Sequence, residues 1–166
     1  MDRIWSPWRY RYVSKVNSSG FVNDCVFCRI AAANTAIDDQ ANYVLLRAER
    51  NFLMLNLYPY TSGHLMVVPY EHVADLAEAA PETLTEMMQL TVRADAALRS
   101  VYKPGGVNIG MNLGKCAGAG IAGHIHMHAL PRWEGDANFM TTIGETRVLP
   151  DDLESSYRRL LAALAN

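Results

Sequence analysis

The chain of 166 residues carries a formal net charge of −2, so no whole-protein attraction draws it toward nucleic acid or an anionic membrane. Its residues are 50% apolar and 19% charged, which excludes a disordered chain and fits one globular domain able to bury a core. No apolar run approaches the ~20 residues of a bilayer-spanning helix, and the first residues lack the apolar core of a secretory signal. A cytoplasmic protein acting on a small ligand is expected, with no membrane role and no nucleic-acid partner.

Residues 1–20 read as an aromatic and basic arm ahead of a single domain at 21–166. The run Trp5-Ser6-Pro7-Trp8-Arg9-Tyr10-Arg11 could stack on a nucleic-acid strand, but no second basic patch follows it. A clamp over the protein's own body or a partner subunit is the expected role. Asn17-Ser18-Ser19-Gly20 reads as a flexible link.

Beyond residue 41 short apolar stretches alternate with turn residues. Tyr43 to Arg47, Phe52 to Leu57 and His64 to Val68 are expected strands, and their short links favour antiparallel pairing. Pro81 opens a long helix with Leu84, Met87, Met88, Thr91, Ala94 and Leu98 as its core stripe and Glu82 and Glu86 near its N-terminal dipole. Val107 to Leu113 and Gly123 to Leu130 are further strands. After a loop from Pro131 to Pro150, Leu153, Tyr157, Leu160, Leu161 and Leu164 form the apolar face of a closing helix capped by Asp151 or Asp152. The expected fold is α+β, with an antiparallel sheet of about five strands, a long helix and a C-terminal helix.

Three features carry chemistry. Cys25-Val26-Phe27-Cys28 could supply two thiolates to one tetrahedral metal, and zinc would need two more ligands from His64, His72 and one member of the histidine run below. No thioredoxin-like strand and helix surround the pair, which weighs against a redox role. The segment from Gly114 to Gly123 is nearly bare of side chains, so its backbone N–H groups, around Gly118 and Gly120, could approach phosphate oxygens while Lys115 adds charge. Cys116 is read as a small side chain within it. His124-Ile125-His126-Met127-His128 places three histidines at alternate positions, so an extended chain turns all three imidazoles to one face. Packing does not demand such a row. A phosphate cradle beside imidazoles points to phosphoryl or nucleotidyl transfer through a histidine.

His124 to Leu130 resembles the signature of the histidine-triad (HIT) family of nucleotide hydrolases and transferases. Cys25 and Cys28, Phe52 to Asn56, Gly63-His64-Leu65-Met66-Val67-Val68-Pro69 and Asn112 follow in the family's usual order. Trp5-Ser6-Pro7-Trp8-Arg9 and Pro131-Arg132-Trp133 resemble its bacterial diadenosine tetraphosphate phosphorylase branch. The resemblance implies a HIT-like fold, usually a homodimer, with His126 as the nucleophile that carries a nucleotidyl intermediate. It implies that His128 contacts phosphate or protonates the leaving group, and that Asn56 binds ribose hydroxyls. Asn112 corresponds to a phosphate-contacting asparagine, offset by one residue of spacing. It further implies a structural zinc held by Cys25, Cys28, His72 and His124, with His64 orienting the triad from behind.

Where many hydrolases of the family carry glutamine and then serine or threonine, this chain has Gly120 and Ile121. Loss of a water-positioning amide disfavours hydrolysis, and the space left admits a larger acceptor such as inorganic phosphate. Cleavage of dinucleoside polyphosphates by phosphorolysis is therefore expected, with nucleoside phosphoramidates or other adenylated adducts as the alternative substrates. Two readings of other kinds stay open. In one, the three histidines share a catalytic metal, although three alternate positions on a straight strand span ~13 Å and converge poorly. In the other, the site binds nucleotide without turnover.

Overall fold

The structure is a computed structural model that describes residues 25–33, 35–144, 146 and 149–165. The arm at 1–20 and its link lie outside the described residues.

A five-stranded antiparallel sheet organises the fold. Its strands are β1 (Val44–Arg47), β2 (Asn51–Leu55), β3 (Leu65–Pro69), β4 (Gly106–Met111) and β5 (Met127–Arg132), in the order β1-β2-β3-β5-β4. With the helices below it makes an α+β fold, as expected. Between β3 and β4 runs α3 (Pro81–Tyr102), and α5 (Leu153–Leu164) closes the chain. Both pack on one face, where Leu53, Leu55, Leu65, Val67, Ile125 and Ala129 of the sheet side meet Met87, Leu90, Ala94, Leu98, Tyr157 and Leu160. Fully burying one such leucine contributes about 1.5–3 kcal/mol. The opposite face is covered by α1 (Val26–Ala32), whose Phe27 and Ile30 pack on Phe52, Met54, Met66 and Val68.

Two short helices were not foreseen: α1, and α2 (Ala36–Ala41). The latter begins with a reciprocal box, Thr35 Oγ1 accepting from the Asp38 N–H and Asp38 from the Thr35 N–H. Arg47 then ties the end of α1 to the sheet, donating to the Ile30 carbonyl at 2.8 Å while paired with Asp39 at 2.7 Å. A third short helix, α4 (Phe139–Thr142), interrupts the stretch expected to be loop from Pro131 to Pro150, capped by the Asn138 side chain.

The long helix starts at Pro81 as expected, yet Met88 is 52% exposed and does not join the core stripe. The cap of α3 comes from outside it: Glu71 accepts from the Ala80 N–H and the Thr83 hydroxyl. Glu86 looks outward to the β1–β2 turn, where it accepts from the backbone of Glu49 and Arg50 and from Asn51 Nδ2. In α5 Asp152 is the cap, and Leu161, expected inside, is 40% exposed.

The histidine strand is corrected most. Pairing starts only at Met127, so His124 and His126 precede β5, and the strand runs on through Pro131 to Arg132. The cause lies in the neighbours. The Ile125 N–H bonds the Val73 carbonyl outside the sheet, and β4 ends opposite Met127. At the far end β3 stops pairing at Ala129, so Pro131 faces β4 alone. Alternation survives without the ladder: Ile125 and Ala129 enter the helix-side core, while the histidines turn to the other face. Among the described residues no helix is long and apolar enough to cross a membrane.

Candidate active site

The face of the sheet under α1 holds a cleft of about 590 Å³, counting its open mouth. One row of side chains makes its floor, because the register sets Met54 against Met66 and Met66 against His128. Phe27 and Ile30 of α1 form one wall, Gly120 and Ile121 another, and Asn56, Leu57, Tyr58 and Tyr60 the rim after β2. His126 and His128 both line it.

His126 is 6% exposed, and Phe27 lies against it with ring centres 5.0 Å apart. Its Nδ1 is 2.9 Å from the His124 carbonyl oxygen, an acceptor only, so Nδ1 carries the proton and Nε2 keeps its lone pair. Burial pushes its pKa below the ordinary histidine value. The ring is therefore a neutral imidazole with its nucleophilic nitrogen free of a proton.

His128 is reached through His64. The Tyr60 N–H donates to His64 Nδ1 at 3.2 Å, which makes Nδ1 an acceptor and puts the proton on Nε2. His64 Nε2 is 2.8 Å from His128 Nδ1 and donates to it. The proton of His128 then sits on Nε2. His64 is fully buried, and burial above all, with His128 and His126 nearby, pushes its pKa down to about 2. Asn56 touches the same nitrogen, Nδ2 to His64 Nδ1 at 3.3 Å.

Behind the cleft Cys25, Cys28, His72 and His124 converge, each offering one ligand atom and all within 4.8 Å of one another. Cys25 caps α1 and Cys28 lies in its first turn, so the helix start aims both sulfurs the same way. His124 Nε2 donates to the Pro69 carbonyl at 2.9 Å, which turns an unprotonated Nδ1 toward both sulfurs. Its distances to Cys25 and Cys28 are 3.4 and 3.7 Å, and Cys28 lies 3.1 Å from His72 Nδ1. Tetrahedral zinc with ordinary bond lengths sets sulfur and nitrogen about 3.6 Å apart. The donor set and its spacing fit zinc. Burial holds His124 neutral, its pKa lowered to about 4, while burial and the neighbouring Cys25 raise the Cys28 thiol to about 11. A bound cation would reverse the latter shift by favouring thiolate.

Known proteins resemble this arrangement in sequence and in structure. The family model described as HIT domain matches residues 38–135. An AP-4-A phosphorylase of Mycobacterium tuberculosis is 38% identical over 98% of this chain and 83% of its own length. The chain belongs to the HIT domain family. An uncharacterised HIT-like protein of the same organism is 31% identical over 85% of this chain and 93% of that relative. The crystal structure of a zinc-bound histidine triad family protein from Mycobacterium smegmatis superposes with a TM-score of 0.69 at 34% identity, covering 87% of this chain and 96% of that one.

Within this HIT domain the residues singled out from sequence separate. Asn56, Gly120, His126 and His128 line the cleft, His64 lies behind His128, and Cys25, Cys28, His72 and His124 form the second cluster. Asn112, Lys115 and Gly118 are not among the lining residues. Asn112 follows β4 directly, and the pairing of Met111 with Met127 extended by one step sets it opposite His126. Lys115 is exposed in the 3₁₀ turn Lys115–Ala117, and Gly118 ends that turn with φ +91°, a backbone role. Phe27, Met54, Met66 and Tyr60 were missed. The parity of Met54 with Asn56 and of Met66 with His64 held the signal for two of them, whereas Tyr60 acts by a backbone N–H that no sequence pattern marks.

Proposed function

We propose that this protein cleaves dinucleoside polyphosphates of the diadenosine tetraphosphate kind at the α-phosphate, through a nucleotidyl intermediate on His126. The observation that carries the reading is the hydrogen bond from His126 Nδ1 to the His124 carbonyl, which supports a neutral nucleophile at the cleft. The name of the M. tuberculosis relative, AP-4-A phosphorylase, supports the substrate class. His126 Nε2 bonds the phosphorus as the bridging P–O bond breaks and its electron pair leaves with the departing nucleotide. An acceptor oxygen then displaces Nε2. His128 Nε2–H stabilises charge on the phosphate oxygens, and Asn56 holds ribose. Asn112, Lys115 and Gly118 are assigned to phosphate contacts.

Inorganic phosphate is the proposed acceptor, because Gly120 and Ile121 bring no side-chain amide to this wall of the cleft to hold a water. Zinc at Cys25, Cys28, His72 and His124 is assigned a structural role: with all four positions taken by protein it supplies no activated water, and it fixes the backbone that presents His126. A homodimer through β4 is proposed, since among the described residues this edge strand pairs only with β5 and shows Ile109 at 48% exposure. The location proposed is the cytoplasm.

The test is incubation of purified protein with diadenosine tetraphosphate, with and without phosphate. Phosphate-dependent formation of ADP and ATP, with a nucleotidyl adduct on His126 trapped and mapped by mass spectrometry, supports the reading. Equal rates and products without phosphate would sink phosphorolysis, and full activity after His126→Ala would sink the mechanism.

A further inference from the structure

His128 stands between a leaving group and His64, and what it can deliver depends on where the protons of that pair sit. The amide of Asn56 is oriented without ambiguity. The Tyr58 N–H donates to Asn56 Oδ1 at 2.9 Å, so that atom is the oxygen, and the nitrogen Nδ2 is the atom facing His64 Nδ1 at 3.3 Å. The Tyr60 N–H reaches the same Nδ1 at 3.2 Å. Two donors thus converge on His64 Nδ1, which must stay unprotonated. His64 must then carry its proton on Nε2, which occupies His128 Nδ1 at 2.8 Å. A proton on His128 Nδ1 would meet the His64 proton head-on. His128 is left one form, neutral with its proton on Nε2.

We propose that Asn56 is a positioning residue that, through His64, holds His128 as a neutral Nε2–H donor and thereby tunes the site to leaving groups that depart as anions, phosphate anhydrides, over amines. The inference rests on the assignment of His126 as the attacking group. For an anhydride the step balances without a proton: the His126 Nε2–P bond forms, the bridging P–O bond breaks, and the oxygen leaves as a stable polyphosphate anion hydrogen-bonded by His128. A P–N bond is different. Its nitrogen must gain a proton to leave as an amine, and a neutral imidazole gives up its last proton very reluctantly. An imidazolium at His128 would need His64 Nε2 as acceptor, hence a proton on His64 Nδ1, where two donors point. The low pKa of His64, about 2, agrees, since the ring keeps a single proton and its Nδ1 stays an acceptor for both donors.

The residue that releases the lock is a carboxylate. In Asn56→Asp a charged acceptor replaces Nδ2 and outweighs the neutral Tyr60 N–H that remains at 3.2 Å, so His64 takes a proton on Nδ1, its Nε2 becomes an acceptor, and His128 can become an imidazolium. Nitrogen-15 NMR of the histidine rings in the wild-type protein near neutral pH reads the tautomers without any turnover. Neutral His64 and His128 protonated on Nε2 are expected; a proton on His128 Nδ1 overturns the proposal. In parallel, rates on diadenosine tetraphosphate and adenosine 5′-phosphoramidate are compared. The wild type should favour the anhydride by about a hundredfold, and Asn56→Asp should lower that ratio by about tenfold or more, the scale of one charge-assisted hydrogen bond. Comparable wild-type rates on both substrates, Asn56→Asp spectra that keep the wild-type tautomers, or an unchanged ratio beside switched tautomers overturn it. If neither substrate turns over, the nucleotidyl-transfer reading fails and the preference falls with it, while the spectra still decide the lock.

Discussion

Gly63 and His64 lead directly into β3, and replacing Gly63 tests how rigidly the fold holds that histidine. Its φ is +75°, a region in which an L side chain costs about 1–2 kcal/mol. A Cβ built there would meet Tyr102 Cε2 at 2.5 Å and Cζ at 2.9 Å. The ring cannot easily step aside, because Tyr102 donates to Ser156 at 2.8 Å and the Arg159 guanidinium lies 4.8 Å from the ring centre. Overpacking of this sort costs about 1–3 kcal/mol, so Gly63→Ala should destabilise by about 2–5 kcal/mol in all. Chemical denaturation of Gly63→Ala, Tyr102→Ala and the double variant separates the two parts. With the ring gone the steric part vanishes, so in the Tyr102→Ala background the same change should cost only about 1–2 kcal/mol. A loss below about 1 kcal/mol in the wild-type background, or full additivity in the double variant, would refute the reasoning that ring and backbone jointly exclude a side chain here.

Other outcomes follow from the site. Purified protein should contain one zinc per chain by elemental mass spectrometry, Cys28→Ser and His72→Ala should each lose most of it, and a strong chelator should lower the melting temperature of the wild type. His126→Ala should cut turnover of diadenosine tetraphosphate by about a thousandfold or more while AMP binding persists by calorimetry. Stability should fall in acid through His64: its folded pKa of about 2 lies below the ordinary 6.5, so the unfolded chain binds the proton first. Its contribution is complete above 6.5 and shrinks as pH falls toward the folded value, by about 2 kcal/mol at pH 5, and denaturant midpoints across that range check it. Because burial also lowers the His126 pKa, that ring stays neutral below the ordinary histidine value. The acid limb of kcat/KM should therefore lie below 6.5, and a limb above it would contradict the buried neutral ring.

What the sequence made legible divides along a physical line. Period and punctuation placed four of the five strands and both long helices, because burial against a sheet leaves an apolar rhythm in Leu53, Leu55, Leu65 and Leu98 that does not depend on the rest of the chain. The short helices α1 and α2 left no such rhythm: at 7 and 6 residues they turn too few times to repeat, and only the Thr35 and Asp38 box marked either. Within the triad alternation told which residues share a face, but not what each meets there. His124, His126 and His128 are equivalent in pattern and differ in environment, since two cysteines arrive from 99 and 96 residues away, a backbone carbonyl from 2 and a fourth histidine from 64. Those partners decide the protons. A carbonyl fixes His126 as a base, while the Tyr60 N–H, relayed by His64, fixes His128 as a donor. A run read as one strand with three like imidazoles is, in the folded chain, a turn presenting one imidazole to two cysteines and another to the cleft, joined to a strand presenting a hydrogen-bond donor. The break between them falls where the ladder ends at Met127, and it gives the two upstream rings backbone partners a regular strand would have spent on pairing.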